Sequence, residues 1–248
     1  MSDAQAQKRW TLGSIVFVGG ALVALVILLG LGTWQMQRLG WKEALISTID
    51  QRVASEPRSL EEIEGFLTTG NDVDYWPVKV EGVFHHDGER HFFATHEGRA
   101  GFYVYTPLEL TDGRLVLVNR GFVPYELKEP STRVQGQVEG IVNVTGLARA
   151  ELDGKPSAIV PDNDLTKNVF YWKDLQAMAE TTGVGQPEDY LRLFIDANDT
   201  ANPGGLPVGG VTMISLPNSH LEYALTWYSL AAVLVGVLGV WVVRQRKT

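Results

Sequence analysis

The chain has no cysteine. Disulfide staples, thiolate nucleophiles and thiolate metal sites are therefore excluded, whatever compartment its domains occupy. Positive charge is scarce where a nucleic-acid or anionic-lipid partner would need it. The segment from Arg38 to Glu222 holds 16 of the 21 lysines and arginines but 28 of the 29 acids, a net charge of −12. A surface of that sign is a poor match for phosphate backbones, and no nucleic-acid partner is expected. The sequence also lacks a Gly-rich phosphate loop, a Gly-x-Ser-x-Gly elbow, a His-Glu-x-x-His helix and any internal repeat. No enzymatic activity is expected from such a chain.

Two stretches lack charge altogether. Trp10 to Gln37 is a run of 28 residues without an acid, lysine or arginine, and Tyr223 to Val243 is a second of 21. A helix rises about 1.5 Å per residue, so roughly 20 apolar residues cross a ~30 Å hydrocarbon core. Both runs meet that length, and both carry Trp or Tyr near an end, where amphipathic rings favour the membrane interface. The expected division is a tail over 1–12, a transmembrane helix over 13–34, an exported α+β domain over 35–221, a second transmembrane helix over 222–243 and a tail over 244–248.

Orientation follows from the tails. Lys8 and Arg9 precede the first run, and Arg244, Arg246 and Lys247 follow the second. Lysine and arginine near a span resist translocation, so both termini are expected in the cytoplasm and the large acidic segment outside it. The first run is too long for a signal-peptide core and shows no Ala-x-Ala-like cleavage site, so it reads as an uncleaved anchor. About ten residues precede it, without an Arg- and Ser-rich transit pattern. The expected location is thus a bacterial inner membrane, with the main domain periplasmic.

Between the runs the pattern changes. Trp34, Arg38, Trp41, Leu45 and Ile49 keep helical spacing, which predicts that the first helix continues to about Ser55 and stops near Pro57. Ser59-Leu60-Glu61-Glu62 reads as a capped helix start. From Trp76 onward a period of two takes over, with strands expected at Val78–Val83, Phe102–Leu110, Leu115–Phe122, Ile141–Leu147 and Tyr190–Ile195. Asp112-Gly113 between two of them is a hairpin signal, and an amphipathic helix is expected around Trp172–Thr181. The fold class is two transmembrane α-helices flanking an α+β domain built on an antiparallel sheet, a small barrel or sandwich.

Four of the five histidines fall within twelve residues: His85, His86, His91 and His96. Imidazole is the commonest metal ligand, so the cluster invites a metal site. The spacing matches no familiar site, and Asp87-Gly88-Glu89 reads as a turn, so exposed polar strand ends are the simpler expectation. The fifth, His220, stands just outside the second apolar run. If the helix includes it, His220, Tyr223 and Trp227 share one face. Trp34, Arg38 and Trp41 form a matching stripe at the outer end of the first span. Two readings fit these residues. One is an interfacial belt of anchoring aromatics. The other is a site for a flat amphipathic ligand such as haem, with imidazole for the iron, arginine for a propionate and rings for the macrocycle.

Three segments carry a family resemblance. Gly32-Thr33-Trp34-Gln35-Met36-Gln37-Arg38-Leu39-Gly40-Trp41-Lys42 is similar to the signature closing the first span of the surfeit locus protein 1 family. Val118-Asn119-Arg120-Gly121-Phe122-Val123-Pro124 resembles its Val-Asn-Arg-Gly-Trp-Val-Pro motif, with Phe122 in place of tryptophan. Asn218-Ser219-His220-Leu221-Glu222-Tyr223-Ala224-Leu225-Thr226-Trp227-Tyr228 resembles the segment that opens its second span, with Ser219 in place of asparagine. The resemblance implies an assembly factor for haem–copper cytochrome c oxidase. It would bind haem a transiently, with His220 on the iron, and aid its insertion into the catalytic subunit. Haem a synthase is a further candidate partner. Arg38, Trp34, Trp41, Tyr223 and Trp227 would then form the pocket, and the resemblance favours this over the belt. For Asn119, Arg120, Gly121 and Pro124 the expected role is structural, Gly121 permitting a tight strand exit and Pro124 ending the pairing, with a partner contact by Arg120 as the alternative. A scaffold that holds oxidase subunits without binding haem, and an exported enzyme using the histidine cluster, are the rival readings.

Overall fold

A computed structural model describes residues 11–212, 214 and 216–247; Lys8 and Arg9, on which the orientation argument partly rests, lie outside them. The chain forms two compact units, residues 1–48 with 215–248, and Ile49–Ile214.

The first unit is a helix pair. Helix α1 (Leu12–Val53) runs 42 residues without a break, and its final turn belongs to the second unit. Helix α4 (His220–Lys247) is the other member. Each is long and apolar enough to cross a membrane. Contacts that tie them together as an antiparallel pair include the rings of Phe17 and Trp241 at 5.0 Å, Gly32 against Tyr228, and Gln35 with His220. Ala224 and Ala231 are buried on α4, as small residues are where two helices approach closely.

Among the described residues the second unit is built on six strands. They are β1 (Pro77–Phe84), β2 (Arg90–His96), β3 (Arg99–Leu110), β4 (Leu115–Pro124), β5 (Ile141–Ala150) and β6 (Tyr190–Ala197). Their order is β1-β5-β6-β4-β3-β2, and β1 also pairs with β3, which closes five of them into a barrel. Strand β3 is long enough to serve two partners along one edge. Its Arg99–Tyr105 portion pairs with β2, and its Leu108–Leu110 portion pairs with β1. All pairs are antiparallel except β4 with β6. The small-barrel form of the expected fold is therefore the one observed, with a single parallel junction added.

Strand β4 shows why its sequence is almost wholly apolar. Successive side chains on a strand point to opposite faces. Val116 and Val118 enter a core with Val78, Val80, Leu108, Leu193 and Ile195, over which helix α2 (Leu60–Thr68) lays Ile63. Leu115 and Leu117 enter a second core with Tyr105, Phe194, Phe170 and Met178 of helix α3 (Leu175–Thr182). A strand covered on both faces needs no polar alternation.

The helix ends follow local rules. At α2 the Glu62 N–H donates to Ser59 Oγ (3.3 Å) while the Ser59 N–H donates to Glu62 Oε2 (3.1 Å), a reciprocal capping box. Asp174 caps α3 by accepting from the Ala177 N–H, and Gly183 ends it in the left-handed conformation. The helix expected from Trp172 thus starts three residues later, at the first position after its cap. Strand β2 has no counterpart among the expected strands; the segment read as exposed strand ends is a strand with a buried start, Arg90 and His91.

Candidate functional site

The two groups of candidate residues lie in different units and have different surroundings.

In the helix pair, α4 begins at His220, whose backbone N–H donates to Asn218 Oδ1 (3.4 Å). The imidazole is half-buried, and its Nδ1 is 2.7 Å from Gln35 Oε1 on α1. Tyr228, two turns further along α4, packs its ring against Gly32, and its hydroxyl is 3.2 Å from Thr33 Oγ1. A Cβ on residue 32 would come within 2.6 Å of that ring, so the glycine sets how closely the helices approach.

Around this contact the sequence-predicted residues fall on one side. At 100° per residue, Trp34, Arg38 and Trp41 lie about 60–120° round α1 from Gln35, and Tyr223 and Trp227 lie about 20–60° round α4 from His220. Both offsets run in the same rotational sense along their own chains. For an antiparallel pair that places both sets on the same side of the two helices. Trp34, Trp41 and Tyr223 are each more than half exposed, Trp227 is partly covered, and the Arg38 guanidinium lies over the Trp41 ring at 4.6 Å from its centroid. The result is a face of rings and one guanidinium beside a half-buried imidazole. It matches the chemistry of an amphipathic macrocycle: one nitrogen for a metal, a cation for an acid, and apolar planes. Gln35 had no role assigned from sequence. Its signal was there, an amide within a run otherwise made almost wholly of apolar residues.

The Asn119–Pro124 motif sits in the barrel and is fully engaged there. Asn119 Nδ2 donates to Asp196 Oδ1 on β6 (3.0 Å), while its Oδ1 accepts from the Gly121 N–H (3.1 Å). Gly121 adopts φ 125°, and a Cβ there would lie 1.9 Å from the Val208 carbonyl oxygen, so only glycine is accommodated. Pro124 is the last residue of β4, still paired opposite Gly101.

Arg120 belongs to a buried ionic cluster that the sequence did not reveal. Its centre is Glu89, 2% exposed, gripped by both terminal nitrogens of Arg133, one at 3.1 Å and the other in a shorter contact. Arg120 Nη1 is 3.7 Å from the same carboxylate, and Nη2 donates to the Gly136 carbonyl and to Asn202 Oδ1. His86 Nε2 is 2.9 Å from the Val138 carbonyl, and its Nδ1 accepts from Arg120 (3.2 Å). His91 Nδ1 accepts from Asn168 (3.1 Å), leaving Nε2 3.7 Å from Glu89. Burial opposes the Glu89 charge, but the approach of His86 and His91 and the two-pronged bond from Arg133 outweigh it and hold the carboxyl well below the usual range. Burial lowers Arg120 to about 10, partly offset by Glu89, so it stays charged near neutrality. Burial likewise lowers His91.

The expectation of exposed polar strand ends is therefore overturned for His86 and His91, which are packed against a buried carboxylate. His85 and His96 are separate from it: His85 pairs with Glu109 (2.7 Å), and His96 packs near Phe122. Among the described residues no group of three or more His, Asp or Glu is arranged to hold a metal. Glu89 and Arg133 escaped the sequence reading because an acid in an Asp-Gly-Glu turn looks solvated, and its partner is 44 residues away.

Comparison with known proteins bears on the whole chain. A sequence model of the SURF1 family matches residues 22–232. Surfeit locus protein 1 of Homo sapiens is 40% identical over 228 residues, covering 85% of this chain and 72% of the human one. Surfeit locus protein 1 of Gallus gallus is 37% identical over 230 residues, covering 86% and 71%. The SURF1-like protein of Monosiga brevicollis is 38% identical over 235 residues, covering 90% and 85%. The match takes in most of α1, the first half of α4 and the barrel with its Asn-Arg-Gly segment, and on that extent the chain belongs to the SURF1 family.

Proposed function

We propose that this protein is an assembly factor for haem–copper cytochrome c oxidase. It holds haem a at the outer ends of its two membrane-spanning segments and aids its insertion into the catalytic subunit. It works in a bacterial inner membrane, with both termini cytoplasmic and the barrel periplasmic. The supporting observation is His220, presented at the first turn of α4 beside the Trp34, Arg38, Trp41, Tyr223 and Trp227 face. In this reading His220 supplies one nitrogen to the iron, Arg38 pairs with a propionate, and the rings cover the macrocycle. A carrier must hold its cargo firmly enough to shield it and loosely enough to release it, and one axial imidazole at an open helix face suits both demands. Docking on the nascent subunit and lateral transfer within the bilayer complete the proposed sequence, with haem a synthase as the source. The histidine cluster offers an enzyme little, because His86 and His91 are taken up by the Glu89 network.

The test is the absorption spectrum of detergent-purified protein made alongside haem a biosynthesis. The wild-type protein is expected to carry a haem a spectrum, and His220→Ala to lose it. A colourless wild-type protein would instead favour a scaffold that holds oxidase subunits without binding the pigment.

A further inference from the structure

An imidazole can offer a metal either nitrogen, and which one it offers depends on where its proton sits. For His220 the Gln35 amide decides. Gln35 Oε1 can only accept, and it lies 2.7 Å from Nδ1. A hydrogen bond in that orientation requires the ring proton on Nδ1, which leaves the lone pair on Nε2, the nitrogen further from the helix backbone. An isolated imidazole side chain prefers the opposite arrangement, with its lone pair on Nδ1, close to its own main chain.

We propose that Gln35 is a positioning residue for His220, fixing both its tautomer and its ring orientation so that Nε2 is the metal-binding atom. Metal-binding histidines commonly donate their second N–H to an oxygen in this way. The helix pairing makes the contact rigid. Gly32 admits the Tyr228 ring, Thr33 meets the Tyr228 hydroxyl at 3.2 Å, and Gln35 follows within one turn. The acceptor is an amide and not a carboxylate. A carboxylate would pull the Nδ1 proton harder and make Nε2 a stronger donor. The neutral amide orients the ring while leaving the bond to iron weaker, which suits a ligand that is to be passed on.

This inference rests on the haem reading for its cargo, but the tautomer can be observed without any haem. The experiment uses the full chain in lipid nanodiscs, labelled with ¹⁵N-histidine and free of haem, at mildly alkaline pH. His220→Ala identifies the His220 ring signals. Wild type is expected to show a protonated Nδ1 and an unprotonated Nε2. Gln35→Leu is expected to move the proton to Nε2, and Gln35→Glu to keep it on Nδ1. After loading with haem a, Gln35→Leu is expected to bind at least ~10-fold more weakly. Its ferrous iron–histidine stretching band should fall below that of wild type, and that of Gln35→Glu should rise above it. Ring signals and stretching band unchanged in Gln35→Leu would overturn the assignment. A wild-type protein that takes up no haem a, or takes it up independently of His220, overturns the cargo reading and with it the role of Gln35, even where the ring signals behave as expected.

Discussion

Glu89 is the residue on which the second unit is most exposed to damage. Its carboxylate is buried, and Arg133 grips it with two nitrogens. Removing one member of such a pair leaves an uncompensated charge, at a cost of about 3–5 kcal/mol, whereas replacing both by apolar groups is often close to neutral. Arg133→Met is therefore expected to lower the denaturation midpoint, and Glu89→Leu with Arg133→Met to recover only part of the loss, because Arg120 is then left buried without its carboxylate, as read by circular dichroism of the purified chain. The same cluster sets the response to acid. Burial keeps His91 neutral in the fold to a lower pH than in the unfolded chain, where its value is ~6.5. The unfolded state thus binds the proton first, and stability present above ~6.5 declines as pH falls below it, by up to about 1.4 kcal/mol per pH unit. Glu89 acts in the same direction but lower, its contribution fading as pH drops below the unfolded carboxylate value of ~4.3. His91→Asn is expected to flatten the upper part of this decline and leave the lower part. A thermal-unfolding series between neutral and acid pH in which the two proteins run parallel would refute that.

At the scale of elements, the helix pair depends on one missing side chain. Gly32→Leu would drive its branched side chain into the Tyr228 ring and push the two helices apart. Because the chain has no cysteine, spin labels can be attached at two introduced positions, Leu22→Cys and Val237→Cys, without background. The expected result is a longer label-to-label distance in Gly32→Leu, restored when Tyr228→Ala makes room. No change in distance would mean that Gly32 does not set the helix spacing. Which elements were legible in the sequence follows from how local their causes are. The capping box at Ser59 and Glu62, the Asp112-Gly113 hairpin and the continuation of α1 to Val53 depend on neighbours a few residues away. Strand β2 was hidden because it opens with Arg90 and His91, buried polar residues whose partners lie far along the chain: Thr181 for one, Asn168 for the other. Closure of the barrel was hidden for the same reason, since only tertiary structure sets Gly82 opposite Leu110. The half of the candidate site that was legible is the aromatic and arginine stripe, which helical spacing alone lines up. The Gln35–His220 contact spans 185 residues and needed the pair of helices to appear.

For the whole molecule, stability and the proposed function reside in different places. Glu89, Arg120 and the two apolar cores belong to Ile49–Ile214, whereas His220 and its aromatic surroundings belong to the unit of residues 1–48 and 215–248. Substitutions without shared partners usually act independently, within about 0.3–0.5 kcal/mol. His220→Ala is therefore expected to leave barrel unfolding and membrane abundance at wild-type levels while abolishing bound haem a and slowing oxidase maturation. Arg133→Met is expected to do the reverse in order: abundance falls first, and the protein that survives still carries haem a in proportion to its amount. The ratio of pigment to protein separates the two cases, because a folding defect lowers both together and a site defect lowers only the numerator. A scaffold with no cargo gives a different pattern, in which His220→Ala supports oxidase maturation as well as wild type does and Arg133→Met is the damaging change. Measuring pigment, protein and oxidase activity in the same membranes for both variants therefore decides whether the His220 face of the helix pair or the barrel carries the work of this chain.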